Sequence, residues 1–419
     1  MAPLSGSPHD ADQRPIARIA VPAVGWEEHL WIPGPGEGFS RSELRRQTGR
    51  YQSAIPAQFS TWQCVLDSAV AADVDEATRA LVAFDERVVR RLGTEGAVLG
   101  PMSAILLRTE SASSSQIEQL TTSARQLSLA ELAHRSTPHA RLVVGNVRAM
   151  EAALQLAGAL DVSAILAMHS ALLEHQRDMA EHAGRLREVV VWIGPGHAGP
   201  LRADFVAPQP HRVEGALADL VAFIGRVDIP PLVQIAIAHA QFETIHPFVD
   251  GNGRTGRALV NALLRSYGLV SHVTAPLSGG LLRRTTDYFE ALQAFRRGDA
   301  GPIVAAFAQA ARFAAHRGDL LVDALVTELH NSRSLLVGLR PQATAWRVLP
   351  LLVGQPVINN EYVMTALGVG KVTAQRAVDA LVDRTVIREC TGQARHRVWQ
   401  HDGFLGILDA FAAELKRAR

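Results

Sequence analysis

The residues with a chemical use are concentrated in one run, His246-Pro247-Phe248-Val249-Asp250-Gly251-Asn252-Gly253-Arg254-Thr255-Gly256-Arg257. Gly251, Asn252 and Gly253 let the backbone turn so that its N–H groups face one concavity, an anion nest. A helix expected from about Arg254 aims its free amides and the positive end of its dipole at the same spot. Arg254 and Arg257, three apart, share a face of that first turn. Together they suit a polyphosphate. Asp250 adds a single carboxylate, and Mg²⁺ arriving with a nucleotide takes only one or two protein carboxylates beside phosphate oxygens and water. His246, with an ordinary pKa near 6.5, is largely neutral at pH 7 and can take a proton. The implied reaction is attack of a hydroxyl on a nucleotide phosphate, with His246 as base.

The elements that must hold this run are helical. Apolar residues recur at helical spacing through Leu81, Phe84, Val88 and Leu92 and through Leu120, Leu127 and Leu132, and helices are expected over 142–160, 163–175, 213–224, 232–245, 254–267 and 287–296. VVVWIG at 189–194 and ADFVAPQP at 203–210 read as a short hairpin among them. A helix over 302–338 leads to a C-terminal unit from about Pro341. Residues 1–50, rich in Pro and Gly around Trp26 and Trp31, read as an extended arm.

Composition narrows the classes. The chain has 419 residues, 47% hydrophobic, with 42 Lys+Arg against 41 Asp+Glu. That length allows two or three domains and the composition excludes wholesale disorder, while a net charge of +1 disfavours a uniform polyanion binder. Cys64 and Cys390 form no ligand spacing, so neither a disulfide scaffold nor a cysteine zinc site is supported. The opening MAPLSGSPHDADQRP lacks the pattern of an export leader, and no run of 18 apolar residues occurs. The expectation is a cytoplasmic protein with no membrane contact.

The string H-P-F-x-D-G-N-G-R-x-x-R resembles the signature of the Fic (filamentation induced by cAMP) family of nucleotidyltransferases, and every fixed position matches. TGRYQSAIPA at 48–57, LLRTESASSSQIEQL at 106–120, GNVRAMEAAL at 145–154 and GRLREVVVWIG at 184–194 are similar to family segments in the same order, over roughly residues 45–340. The resemblance implies a mainly α fold, a Fic helical core with a small β-hairpin flap. It implies transfer of AMP from ATP to a Tyr, Thr or Ser hydroxyl of a protein, which includes the chain itself as a target. His246 is then the general base and Asp250 the Mg²⁺ ligand. Gly251, Asn252 and Gly253 form the phosphate nest, Arg254 and Arg257 hold the β and γ phosphates, and Phe248 is a core anchor. Asp204, Phe205 and Val206 match the flap that docks a target by strand addition.

Ser114-x-x-x-Glu118 looks like the family's inhibitory motif, in which the Glu pairs with the second signature arginine, here Arg257. A carboxylate on Arg257 denies a γ-phosphate its partner. Gln119 stands where the family usually has Gly or Asn. Of the family's adenine-holding residues Tyr288 persists, while Leu281 and Arg284 stand where an aromatic residue and an Asn are common, so GTP, UTP and CTP stay open beside ATP. The same resemblance admits two alternatives: a transcriptional regulator using the Fic core as a nucleotide sensor, and a bifunctional enzyme in which Glu118 positions water to remove AMP.

From Pro341 the order of two helices, a Gly368-Val369-Gly370 turn, a helix over 371–384 and two β-rich pieces resembles a winged helix-turn-helix. Residues 371–400 carry six Lys/Arg against three acidic groups. Lys371, Thr373, Gln375 and Arg376 begin the second helix and could enter a major groove, with Arg395 and Arg397 on phosphates. Such modules equally serve dimer or protein contacts, so DNA and a second copy both remain as partners. The expected division is an arm over 1–50, a helical region over 51–140 with an inhibitory helix over about 111–125, a catalytic core over 141–300, a linker over 301–340 and the winged unit over 341–419.

Overall fold

Residues 17–34, 40–93, 96–176, 178–194, 199–392 and 396–417 are described by the structure, a computed structural model. Its first elements give the extended arm expected over 1–50 more regular structure than its composition suggests. Strand β1 (Gly25–Trp31) pairs antiparallel with β2 (Gly49–Ile55), from Gly25 opposite Ile55 to Trp31 opposite Gly49, with a short helix α1 (Arg41–Arg46) between them. β2 thus crosses the expected boundary at residue 50 between the arm and the helical region. The cause is long-range: Trp31 meets Tyr51 edge to face at 6.2 Å and Trp192 at 5.6 Å, contacts that no local pattern announces.

Helices then dominate. α2 (Ser68–Leu92), capped by Asp67, buries Leu81, Phe84 and Val88. It is followed by α3 (Gly96–Ile117), α4 (Ala124–Glu131), α5 (Pro138–Leu156) and α6 (Val162–Leu173). Ser123, Thr137 and Asp161 each accept a backbone N–H at the start of α4, α5 and α6, the local reason these helices begin where they do. The hairpin expected near 189–210 is present as β3 (Trp192–Ile193) against β4 (Phe205–Val206). α7 (Pro210–Ile224), α8 (Pro231–Ile245), α9 (Asn252–Ser266), α10 (Leu277–Arg283), α11 (Thr285–Arg296) and the long α12 (Gly301–Leu335) complete the core. Every residue of α8 from Leu232 to Ile245 is buried, so this helix is the axis around which the others pack.

α3 ends at Ile117, whereas the sequence suggested an inhibitory helix over 111–125. The backbone amides of Gln119 and Leu120 donate to the carbonyls of Gln116 and Ser115, and Gln119 takes a left-handed φ of 64°. That is a Schellman stop, which turns the chain out of the helix at Glu118.

The C-terminal segment comprises α13 (Ala345–Gly354), β5 (Val357–Ile358), α14 (Asn360–Leu367), α15 (Lys371–Asp383), β6 (Arg388–Glu389), β7 (Trp399–Gln400) and α16 (Asp402–Arg417). Its strands form an antiparallel sheet in the order β5-β7-β6. This segment packs on the core through α3 and α4. α13 lies against α3, the Gln355 amide donates to Ser128 O at 2.9 Å, and Arg125 Nε donates to Gln400 Oε1 at 2.7 Å. The Ala124 amide at the start of α4 donates to Asp409 of α16 at 3.1 Å. Among the described residues no helix is long and apolar enough to cross a membrane.

Candidate active site

The signature run forms the corner between α8 and α9. His246 caps α8 in the left-handed region (φ 49°), an unusual conformation for a residue with a Cβ. Gly251 precedes α9 with φ 77°, and a Cβ there would lie 2.7 Å from Leu172 Cδ2, so glycine is required twice over. α9 starts at Asn252, two residues earlier than expected, which places Arg254 and Arg257 on its first two turns.

The corner is stapled by its own side chains. Asn252 is buried; its Oδ1 accepts from Phe248 N at 2.9 Å and its Nδ2 donates to Phe248 O at 2.8 Å. This amide thus works as a backbone mimic, which leaves the main chain of Asn252 as its part of the cavity floor. His169 of α6, which no motif or spacing marks, holds the other side. Its Nδ1 accepts from the Gly184 amide at 3.1 Å, so Nε2 carries the proton and donates to Asp250 O at 3.0 Å. Burial pushes its pKa down to about 4, and its ring stacks on Phe248 at 3.6 Å.

A cavity of about 550 Å³ opens over the corner. Ile117, Leu120, Leu142, Trp192, Ile193, Tyr288 and Phe289 give it apolar walls, and Glu118, Glu243, His246, Asp250, Arg254 and Arg257 its polar floor. Burial, helped by the cations Arg296 and Arg187, pushes the His246 pKa down to about 3, so the imidazole is neutral at physiological pH.

Glu118 reaches into this floor. Its Oε1 lies 2.7 Å from Arg257 Nη2 and its Oε2 lies 2.8 Å from Arg254 Nε, so one carboxylate spans both arginines. The pair with Arg257 was expected; the pair with Arg254 was not. Ser114 completes the grip: Arg257 Nε donates to its Oγ at 2.8 Å and Nη2 donates to its carbonyl at 3.0 Å. Behind them buried Glu110 ties α3 to α10, accepting from Ser278 Oγ at 2.6 Å and Ser278 N at 2.8 Å, and meets Asn261 Nδ2 of α9 at 3.2 Å.

Asp250 points one oxygen at Arg254 Nη2 (3.1 Å) and is otherwise open to the cavity. Among the described residues no three metal-ligating side chains cluster. A lone cavity-facing carboxylate fits an ion that brings its other ligands with a polyphosphate.

The remaining candidates divide. Tyr288 lines the cavity, but its hydroxyl is held by His239 Nε2 at 2.7 Å. Leu281 is buried away from the lining residues, and Arg284 turns to Asp287 at 2.7 Å and Gln309 at 2.8 Å. Asp204 is exposed and gives its amide to Ile193 O at 2.8 Å, while Phe205 and Val206 are buried. In the C-terminal segment Lys371, Thr373 and Arg376 are exposed at the start of α15. Gln375 is tied to Asn360 at 2.6 Å and Asp379 at 2.7 Å, and Arg397 is held by Glu389 at 2.8 Å and stacks over Trp399. Arg395 lies outside the described residues.

Comparison with known proteins agrees with this corner. Residues 159–264, from α6 through the flap to α9, match the model of the Fic/DOC family. The chain is 31% identical over 148 residues to protein adenylyltransferase fic-1 of Caenorhabditis elegans, covering 35% of this chain and 26% of that protein. It is 28% identical over 174 residues to protein adenylyltransferase Fic of Nematostella vectensis, covering 41% of this chain and 35% of that one. The chain thus spans about a third or less of the length of these relatives. A solved Fic family protein from Desulfovibrio desulfuricans G20 is 24% identical, covers 80% of this chain and 97% of its own, and superposes with a TM-score of 0.49. Residues 159–264 are thus the part of the chain that carries the likeness to the Fic/DOC family.

Proposed function

We propose that this chain is a protein adenylyltransferase held in an inactive state by Glu118. One observation carries the reading: a carboxylate seated across Arg254 and Arg257, at the start of α9 and in the same cavity as neutral His246. The two guanidiniums and the α9 amides are the groups a triphosphate would use, and Glu118 occupies the guanidiniums.

With Glu118 displaced, Arg254 and Arg257 take the β and γ phosphates and the amides of the corner take the α phosphate. Asp250 would hold Mg²⁺, which neutralises phosphate charge in the transition state. A Tyr, Thr or Ser hydroxyl, aligned by main-chain pairing along the flap, attacks the α phosphorus. The new O–P bond forms as the bond to the β-phosphate oxygen breaks, His246 takes the hydroxyl proton, and pyrophosphate leaves. The apolar walls at Tyr288 and Phe289 suit any nucleobase ring, so competition among ATP, GTP, UTP and CTP defines the donor.

Incubation of the purified chain with labelled ATP and Mg²⁺ tests the reading. Glu118→Gly should raise nucleotide affinity by about ten- to a hundredfold, the worth of one charge-assisted hydrogen bond released, and should label protein where the parent does not. No label from either form overturns it.

A second reading concerns the C-terminal segment. The exposed start of α15, with Lys371, Thr373 and Arg376, followed by the β6–β7 hairpin, has the layout of a winged helix-turn-helix that contacts duplex DNA.

A further inference from the structure

We propose that Arg187, seconded by Arg296, is a positioning residue that locks the His246 corner to the flap, so that the proton acceptor and the strand that aligns the incoming hydroxyl move as one body. The inference rests on the adenylyl-transfer reading and adds residues outside the signature run.

Arg187 lies just before β3 and is 3% exposed. Its Nε donates to His246 O at 2.8 Å and its Nη2 to Ile245 O at 3.4 Å, carbonyls that the end of α8 would otherwise leave without partners. The same guanidinium donates to Val189 O (2.9 Å) and Pro208 O (2.6 Å), one on each side of the flap hairpin. Its own amide donates to Pro247 O at 3.0 Å. One side chain therefore joins both flanks of the flap to the left-handed residue that carries the base.

Arg296, at the end of α11, makes a second and separate link. It is 5% exposed, donates from Nη2 to Glu243 O at 3.2 Å, and lies flat on the Phe205 ring of β4 at 3.6 Å. Among the described ion pairs neither arginine has a carboxylate partner. Burying one guanidinium against carbonyls and the other against a carbonyl and a ring is costly, and apolar side chains would fill the space more cheaply. What an apolar residue cannot do is bridge carbonyls of three segments in fixed geometry, which a planar fork of five N–H donors does.

The test uses the full chain with Arg187→Ala, Arg187→Lys and Arg296→Lys. Amide hydrogen exchange should show 188–193, 204–209 and 244–249 losing protection together in Arg187→Ala, and regaining it when guanidinium ion is added at millimolar concentration. The ATP dissociation constant should stay within about twofold, because the ligands on α9 are not touched. Arg187→Lys should resemble Arg187→Ala, since an ammonium cannot span the carbonyls. Arg296→Lys should loosen 204–209 and 244–249 without 188–193. Loss of protection in the flap alone, or uniform loss with a collapse of ATP binding, overturns the proposal. This readout stands whether or not the chain transfers AMP. In the Glu118→Gly background, kcat should fall on the order of a hundredfold with Arg187→Ala, as for an ångström-scale misplacement, and recover in part with guanidinium.

Discussion

Gly253 faces the Glu118 carboxylate so closely that a Cβ on residue 253 would stand 2.4 Å from Glu118 Oε1. The glycine is therefore matched to the seated carboxylate as well as to the turn it helps to form. Alanine in the first turn of a helix ordinarily stabilises by about 0.5–1 kcal/mol relative to glycine. Gly253→Ala should lower the denaturation midpoint more in the parent than in the Glu118→Gly background, where the Arg257 Nη1 contact at 2.9 Å remains but the carboxylate is gone. An equal drop in both backgrounds contradicts the contact.

Gln119 occupies the left-handed position of the α3 stop, where a side chain with a Cβ is strained. Gln119→Gly should add up to about 1 kcal/mol of stability, the usual worth of relieving such strain. By firming the turn that presents Glu118, it should leave basal labelling unchanged or lower. Increased labelling would mean that the Schellman stop does not hold Glu118.

Stability should rise with pH between about 4.5 and 6.5. His169 and His401 are pushed down to about 4, and His239 and His246 to about 3, all by burial, so each takes a proton on unfolding once the pH drops below its ordinary 6.5. Glu110 and Glu243, raised by burial to about 7, and Glu131, also raised by burial, act oppositely, since the folded state holds their protons in that window. Four histidines outnumber three carboxyls, so the unfolded state binds more protons and acid favours it. Urea midpoints at half-unit pH steps give the slope; a flat or inverted slope refutes the balance.

Duplex binding by the C-terminal segment should depend on Lys371 and Arg376 and not on Arg397. Fluorescence anisotropy at several salt concentrations should give a log–log slope that falls by about one unit for each of Lys371→Ala and Arg376→Ala. Arg397→Ala should leave that slope alone, because its guanidinium is held by Glu389. No salt-dependent binding would assign this face to protein contacts.

The helices were legible because apolar period and caps are local: α15 begins at Lys371 as expected, and α8 and α11 begin within two residues of expectation. The signature run was legible because nest, arginines and carboxylate sit in twelve consecutive positions. Pairing of β1 with β2 was not, since the sheet is backed by a contact between residues 161 positions apart, Trp31 with Trp192 of β3. His169 and Arg187 escaped notice for a similar reason. Each acts on main-chain carbonyls of a distant corner, and a carbonyl has no letter in the sequence. The second partner of Glu118 was missed because residue spacing says which arginines share a face, not how wide a carboxylate can reach.

The path of α3 has a mechanical side. Twenty-two residues make a rod of about 33 Å. At one end Pro101 lies under Gly354 of the C-terminal segment, so close that a Cβ there would be 3.0 Å from the proline, and just past the other end Glu118 sits on the arginines. One continuous helix therefore touches the C-terminal segment near its start and delivers a carboxylate to two arginines just past its end, so its length sets how far Glu118 reaches.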